Sequence, residues 1–590
     1  MYRAPVEDIA FMLHHVAGLG AALAAGDFGD LTEDLVSAIL TEAGRFASEE
    51  IAPLAASGDR QGARFHDGAV TMPDGWRALY RAWAEGGWNG LTADPQFGGQ
   101  GLPHMVQAAA LEMWNGGSMA FAIGPTLTIG AVEALSAHGS AFLKATFLPK
   151  MVTGEWTGSM NLTEPQAGSD LGVLTTRAER RDDGTYRLFG QKIFITYGEH
   201  DLAENIVHLV LARLPDAPAG TRGISLFLVP KYLVAADGAL GARNDVHCHS
   251  IEHKLGIHAS PTCTMIYGDG RFGDEAGAVG WLVGEENHGL TAMFTMMNNA
   301  RLAVGMQGVA IAEAATQKAL AYARERVQGR APGRSGPGPI VAHPDVARML
   351  LTMKALTQGA RAITYACAHA LDMAQVKKGE ERAHWAERAG LLTPVAKSFA
   401  TDVGVEVASL GLQVHGGMGY IEETGAARLG RDARIAPIYE GTNGIQAVDL
   451  VTRKLPLSGG GQLYALIAEL RVLGAGAEAK TETLGETGPR LSSALDDLER
   501  AAGWLLAALD DGRQAEALAG ATPFQRLFGL VLTGAYLAKG ALAEAEDDRA
   551  AERAALCRFT AENLLGETAA LCDRVLSGAP SLAAAQAMLE

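Results

Sequence analysis

RDARIAPIYEGTNGIQAVDL, residues 431–450, sets one glutamate, Glu440, in a short polar turn between apolar segments. A carboxylate flanked by apolar residues loses part of its hydration, which raises its pKa and lets it accept a proton near neutral pH. Glu440 is therefore a candidate general base. A glutamate ahead of Gly-Thr is also what an ordinary surface loop carries, so the rest of the chain must decide.

Upstream of this turn, from Gly289, the pattern is helical, and in RLAVGMQGVAIAEAATQKALAYARERVQ the small residues Gly305, Gly308, Ala312 and Ala315 would let another helix approach closely. The Pro/Gly-rich segment APGRSGPGP, residues 331–339, cannot continue that helix and is expected to be an exposed loop. Between Trp156 and Gly270 the period moves toward two, with TYRLFGQKIFITYG, NIVHLVLARL and GISLFLVP as successive strand-like runs. From Leu31 to Lys150 the spacing is helical again: Thr32 is placed to cap a helix, Glu33 and Asp34 fall in its first turn, and the Gly/Pro-rich ADPQFGGQGLP, Ala93 to Pro103, forces a turn. Downstream, LSGGGQ, Leu457 to Gln462, separates the Glu440 region from an Ala/Leu/Glu-rich tail with helical spacing, expected to form an additional bundle.

At 590 residues the chain exceeds one ordinary core, so several domains are expected. A net charge of −18 repels nucleic acid and anionic lipid, and no Lys/Arg-rich run overrides it. No run of 18 apolar residues occurs; the nearest approach is LAVGMQGVAIAEAA after Arg301, which contains Gln307 and Glu313, so no membrane span is predicted. The opening MYRAPVEDIAF lacks a basic region followed by an apolar core, and the five cysteines, Cys248, Cys263, Cys367, Cys557 and Cys572, are scattered, which together predict a cytoplasmic protein with free thiols. The cluster His247, Cys248, His249, His253 and His258 invites a metal. Neighbours on a strand point to opposite faces, however, and no CxxC or HxxxH pair is present, so no metal site is predicted.

Two further segments stand out: GSMNLTEPQAGSDL, Gly158 to Leu171, and GQKIFITYG, Gly190 to Gly198. With Gly416, Gly417, the EGTNGIQ turn and a helix expected from Asn299 to Gln328, they resemble the acyl-CoA dehydrogenase family of flavoproteins over residues 60–455, in the family's order and at roughly its spacing. The opening YRAPVEDIAFMLHHVAGL, the segment IEHKLGIHASPTC and the added C-terminal region resemble the 3-methylmercaptopropionyl-CoA dehydrogenase branch of that family.

The resemblance implies an α+β, mostly α fold: an N-terminal helical domain over 1–155, a middle β-barrel domain over 156–280, a four-helix bundle carrying the catalytic glutamate over 281–456, and an extra helical domain over 463–590. It implies FAD-dependent α,β-dehydrogenation of an acyl-CoA to the trans-2-enoyl-CoA. The expected substrate is 3-methylmercaptopropionyl-CoA or another short or medium acyl-CoA. Electrons would go to an electron-transfer flavoprotein, and the enzyme would be a homodimer or homotetramer. An oxidase that hands electrons to oxygen and a catalytically silent acyl-CoA-binding protein are the alternatives.

By the same resemblance Glu440 is the base, because Ala300 stands where some relatives carry the acid instead. The backbone N–H of Glu440 and a ribityl hydroxyl of FAD would polarise the thioester carbonyl. Met160, Leu162, Thr163, Ser169, Phe194 and Thr196 map to flavin-binding positions, with Phe194 and Tyr197 replacing the more usual tryptophan and asparagine. Arg326 and Gln328 map to residues that reach the FAD of a neighbouring subunit, and Gln413, Gly416, Gly417 and Thr442 to a loop near the adenine-side phosphates. Ser169, Arg301, Tyr439 and Gly441 are the expected substrate contacts, and Asn298 stands where the family carries an acid.

Overall fold

The computed structural model describes residues 1–235, 238–545 and 548–589, with the side chain of Asn298 left out. The chain divides into two compact units, one made of Glu49–Leu102 and Gly117–Ala300, the other of Met1–Ser48, Pro103–Gly116 and Arg301–Glu590.

The first unit is organised by an eight-stranded sheet: β1 (Trp156–Asn161), β2 (Arg177–Arg180), β3 (Tyr186–Thr196), β4 (Asn205–Arg213), β5 (Ile224–Pro230), β6 (Val246–Ile251), β7 (Thr262–Tyr267) and β8 (Ala278–Val283). The order is β6-β7-β3-β8-β5-β4-β1, and β2 pairs with both β3 and β4. That double pairing closes a ring, β3-β8-β5-β4-β2, which is the barrel expected from the resemblance. Antiparallel register sets Leu209 opposite Leu228 and Leu211 opposite Leu226, while β1 runs parallel to β4. The alternation expected of half-buried strands is absent here: Asn205–Ala212 and the whole of β5 are buried at every position. Both faces are covered, so side chains on either side meet protein. Leu209, Leu211, Leu226 and Leu228 share one core with Leu135, Phe147, Trp156, Met293 and Met296.

The helical stretch expected from Leu31 to Lys150 is interrupted by a hairpin, Arg64–His66 paired with Ala69–Thr71. Its two turn residues, Asp67 and Gly68, both have positive φ, the geometry that Asp-Gly favours in a tight hairpin. Thr32 caps Glu33–Phe46 by accepting from Leu35 N at 3.2 Å. Helix His104–His138 breaks at Ser118, whose φ of −159° and ψ of 106° are extended. This helix is long and apolar enough to cross a membrane by length and composition, which corrects the expectation that the segment after Arg301 comes nearest. Its most apolar window is 89% buried inside the protein, the setting of a core helix.

The second unit is helical. Its frame is the C-terminal part of Gly289–Glu325 with Pro344–Val376 and Gly379–His415. The first of these begins ten residues before and ends three residues before the Asn299–Gln328 span expected from sequence. The small residues on it act as anticipated: a Cβ on Gly305 would lie 2.7 Å from Ala396 O and one on Gly308 2.2 Å from Ala400 O, so the two helices touch backbone to backbone. After the break at Leu457–Gly460, the tail forms Gly461–Ala479, Thr487–Asp510, Ala521–Leu542, Ala550–Asn563 and Glu567–Gln586. Ala521–Leu542 packs on the frame through Gly529, whose Cβ would sit 2.1 Å from the Phe399 ring, and Gly359, whose Cβ would sit 2.3 Å from Thr533. Gln525 donates to Pro394 O at 3.2 Å and to the Ser398 hydroxyl.

Candidate active site

The two motif segments of the first unit are locked to each other. Lys192, on β3, donates to Leu162 O at 2.9 Å and to Glu164 Oε1 at 2.8 Å, and Ile193 N donates to Thr163 O at 2.9 Å. Glu164 also accepts from Thr175 N at 2.7 Å and Thr176 N at 3.0 Å. Burial works against its charge, but the Lys192 ammonium and these donors outweigh it and hold the carboxyl down at about 2. The result is a rigid base for Leu162 and Thr163, while Met160 and Thr196 are partly buried and Ser169 is exposed.

Phe194 is presented by a bulge. Cys263 pairs with Ile195 and Met265 with Lys192, so Ile193 and Phe194 together face the single residue Thr264. Phe194 takes a left-handed φ of 60°, which turns its ring outward to 58% exposure, an unusual cost for a large aromatic residue. Tyr197 behaves differently. It is buried, donates to Ala120 O at 2.6 Å and packs its ring where a Cβ on Gly124 would fall, so it is a wall residue here.

In the second unit Tyr439, Glu440, Gly441 and Thr442 form one turn. Glu440 has φ 56° and Gly441 φ 80°, two successive left-handed residues. Thr442 then caps Asn443–Asp449 by accepting from Ile445 N at 3.2 Å. Asn443 braces the turn from below, donating its backbone N–H to Pro437 O at 3.0 Å and its side chain to Ser398 O at 3.1 Å and Asp402 Oδ1 at 2.7 Å. The Tyr439 hydroxyl donates to Gln307, and burial, then the neighbouring Glu440 charge, pushes its pKa well up.

Glu440 keeps partial access to solvent. Surrounding protein still pushes its carboxyl up to about 7, against the lowering pull of Arg301 and Lys397. Arg301 is buried 4.0 Å from Asp449 Oδ2, with a guanidinium pKa lowered by burial and supported by Asp449 and Glu440. Arg301 Nε and Gln446 Oε1 are buried with no hydrogen-bond partner among the described residues. A polar ligand would satisfy such atoms.

The remaining expected residues lie on open surface. Gln413, Gly416 and Gly417 sit at the C-terminal end of Gly379–His415, and nothing lies within 4 Å of where a Cβ on either glycine would project. The His415 ring stacks on Tyr322 with centroids 4.5 Å apart, which brings this end beside the end of the Arg301 helix. Arg326 and Gln328 fall just beyond that helix, in an exposed segment where Ile340 N donates to Arg326 O at 2.8 Å and Gln328 N to Gly338 O at 3.2 Å.

Sequence reasoning missed Lys397, Gln307 and Asn443, which bond the Glu440 turn or its neighbour, and Asp449, which faces Arg301. A signal for Lys397 was present: in TPVAKSFATDV it is the one cation, set between Val395 and Phe399 on a helix face of apolar and short hydroxyl side chains. Among the described residues no three His, Cys, Asp or Glu side chains are grouped to hold a metal. His258 instead faces Asp59 at 3.1 Å, and all five cysteines are buried and free.

Comparison with known proteins bears on the whole chain. Family models described as acyl-CoA dehydrogenase N-terminal, middle and C-terminal domains match residues 34–155, 159–269 and 287–455, and one described as acetyl-CoA dehydrogenase C-terminal like matches 466–586. The chain is 49% identical to the 3-methylmercaptopropionyl-CoA dehydrogenase of Ruegeria pomeroyi over 92% of each protein. In fold it is similar to Caenorhabditis elegans ACDH-11 solved in complex with C11-CoA, with TM-score 0.77 at 23% identity over 96% of this chain and 92% of that one. It is also similar to a Bacillus anthracis acyl-CoA dehydrogenase complexed with FAD, with TM-score 0.73 at 22% identity over 93% and 89%. The barrel, the helical frame and these matches together establish that the chain belongs to the acyl-CoA dehydrogenase family and is an oxidoreductase.

Proposed function

We propose that Glu440 is the general base of an FAD-dependent α,β-dehydrogenation that converts 3-methylmercaptopropionyl-CoA, or another short or medium acyl-CoA, to its trans-2-enoyl-CoA. The observation that carries this reading is the carboxyl itself: burial pushes it up to about 7, and it stands in a left-handed turn opposed by Arg301 and Lys397. A base with that pKa is substantially ionised from neutral pH upward and is a stronger proton acceptor than an ordinary carboxylate.

The α proton of a thioester becomes acidic only as negative charge moves onto the carbonyl oxygen. In this reading the backbone N–H of Glu440 donates to that oxygen, Tyr439 and Gly441 shape the same turn, and Arg301 and Ser169 contact the acyl-CoA. Glu440 then takes the α proton from one face of the Cα–Cβ bond.

The residues present fit the cofactor. Phe194 offers an exposed aromatic ring, Thr163, Ser169 and Thr196 offer hydroxyls within the two motif segments, and Met160 and Leu162 offer apolar contact. Gly416 and Gly417 leave room for close backbone approach to a phosphate, next to Gln413 and with Thr442 at a helix start. FAD, when bound, supplies the acceptor for the hydride that leaves the β carbon.

Arg326 and Gln328 are assigned to the FAD of a second subunit in a homodimer or homotetramer. Support comes from the apolar surface next to Gly417, where Met418, Tyr420 and Ile421 are 48%, 91% and 44% exposed. The segments 1–155, 156–280, 281–456 and 463–590 are taken as the four domains, and electrons are taken to pass to an electron-transfer flavoprotein.

The test is anaerobic. Holoenzyme is mixed with 3-methylmercaptopropionyl-CoA, butyryl-CoA and octanoyl-CoA, and flavin absorbance is followed. Bleaching by all three, fastest with the first, is expected. A flavin that no acyl-CoA bleaches would overturn the reading, and stoichiometric peroxide on admitting air would replace the flavoprotein acceptor with oxygen.

A further inference from the structure

We infer that Lys397 is a positioning residue for the reaction: its buried ammonium clamps the backbone just after Glu440 and, while protonated, supplies a nearby positive charge that favours the ionised form of this base. The inference rests on the proposed role of Glu440.

The geometry is specific. Lys397 is wholly shut off from solvent, and its Nζ donates to Gly441 O at 2.9 Å and to Asn443 Oδ1 at 2.8 Å. It therefore grips Gly441, the second of the two left-handed residues that make the turn, and Asn443, the first residue of the following helix. Left-handed backbone at a glutamate is costly and persists only where its surroundings hold it. Lys397 is the charged part of that hold.

A buried ammonium also needs a reason to remain charged. The charges around it come from four elements. On its own helix Asp402 faces the same turn and bonds Asn443, and its carboxyl pKa is raised by burial. The turn contributes Glu440 and the Tyr439 hydroxyl. The Gly289–Glu325 helix contributes Arg301, which is backed by Asp449 and Arg453. Ala521–Leu542 contributes Arg526, which acts on Asp402. Burial lowers the Lys397 pKa to about 8, with Glu440 and Asp402 pulling the other way. Burial thus brings the base, at about 7, and the cation that sustains it, at about 8, toward each other, and the competent pair is Glu440 ionised with Lys397 protonated.

The test is the pH dependence of flavin reduction by 3-methylmercaptopropionyl-CoA under anaerobic single turnover, expressed as rate over dissociation constant, for the wild-type holoenzyme, K397R, K397M and Glu440→Gln. Wild type should rise through the Glu440 pKa and fall through that of Lys397. K397R, which stays charged, should keep the acid limb and lose the alkaline one. K397M should lose the alkaline limb, move the acid limb up by about one pH unit and slow reduction at least about tenfold. If K397R and K397M both retain the wild-type limbs, Lys397 does not tune the base and the inference fails, even if both are slow. Glu440→Gln separates the two ideas: wild-type reduction by that variant removes the base assignment itself, whatever the lysine variants do.

Discussion

Lys192 Nζ lies 2.8 Å from Glu164 Oε1, and both side chains are shut away from solvent at 0% and 2% exposure. The pair joins β3 to the loop after β1, so the segment that presents Phe194 and the segment that presents Leu162 and Thr163 cannot move independently.

Breaking that pair should be expensive. Glu164→Gln leaves the Lys192 ammonium buried without its counter-charge, and a loss of about 3–5 kcal/mol is expected in denaturant unfolding. The double variant E164Q/K192M should recover part of it. Acid adds a signature. The Glu164 pKa is depressed from 4.5 to about 2, so its contribution is complete above 4.5 and is lost as pH falls through about 2. Wild type should therefore lose more stability than E164Q across that window.

Arg301 acts on Glu440 as a nearby cation. Arg301→Gln removes a charge that pulls the Glu440 pKa down against burial, so the acid limb of kcat/KM should move to higher pH. KM for acyl-CoA should also rise if the guanidinium contacts substrate. An unchanged limb would show that the Arg301 charge does not reach Glu440.

The C-terminal extension is coupled to the site through packing. Gly529 meets the ring of Phe399, two residues along the helix from Lys397, and a Cβ there would approach within 2.1 Å. Gly529→Ala should destabilise the protein by about 1–3 kcal/mol in thermal unfolding, through displacement of that ring. It should also slow flavin reduction, because the displaced helix carries Lys397. Normal stability would mean that the contact relaxes.

Much of this architecture was legible in the residues. Strand-like runs at Tyr186, Asn205 and Ile224 and the Thr32 cap fall where the structure has strands and a helix start. Gly305 and Gly308 mark the helix crossing because a bare Cα is the only way to bring Ala396 and Ala400 carbonyls so near. The hairpin at Asp67-Gly68 was signalled by its Asp-Gly pair but masked by the helical spacing around it. What sequence could not supply was the environment of single side chains. The role of Lys397 depends on where its ammonium ends, 2.9 Å from a carbonyl 44 residues later in the chain, and spacing along a helix does not encode that. Likewise, the outward ring of Phe194 follows from a bulge that only pairing with β7 creates.

In the proposed reaction Glu440 removes the α proton. The most direct measurement is anaerobic stopped-flow reduction of Glu440→Gln holoenzyme by 3-methylmercaptopropionyl-CoA, with flavin content checked by its absorbance. Wild-type FAD content and acyl-CoA affinity are expected, with reduction slowed by about a thousandfold or more. Flavin bleaching at the wild-type rate in that variant would contradict the base assignment.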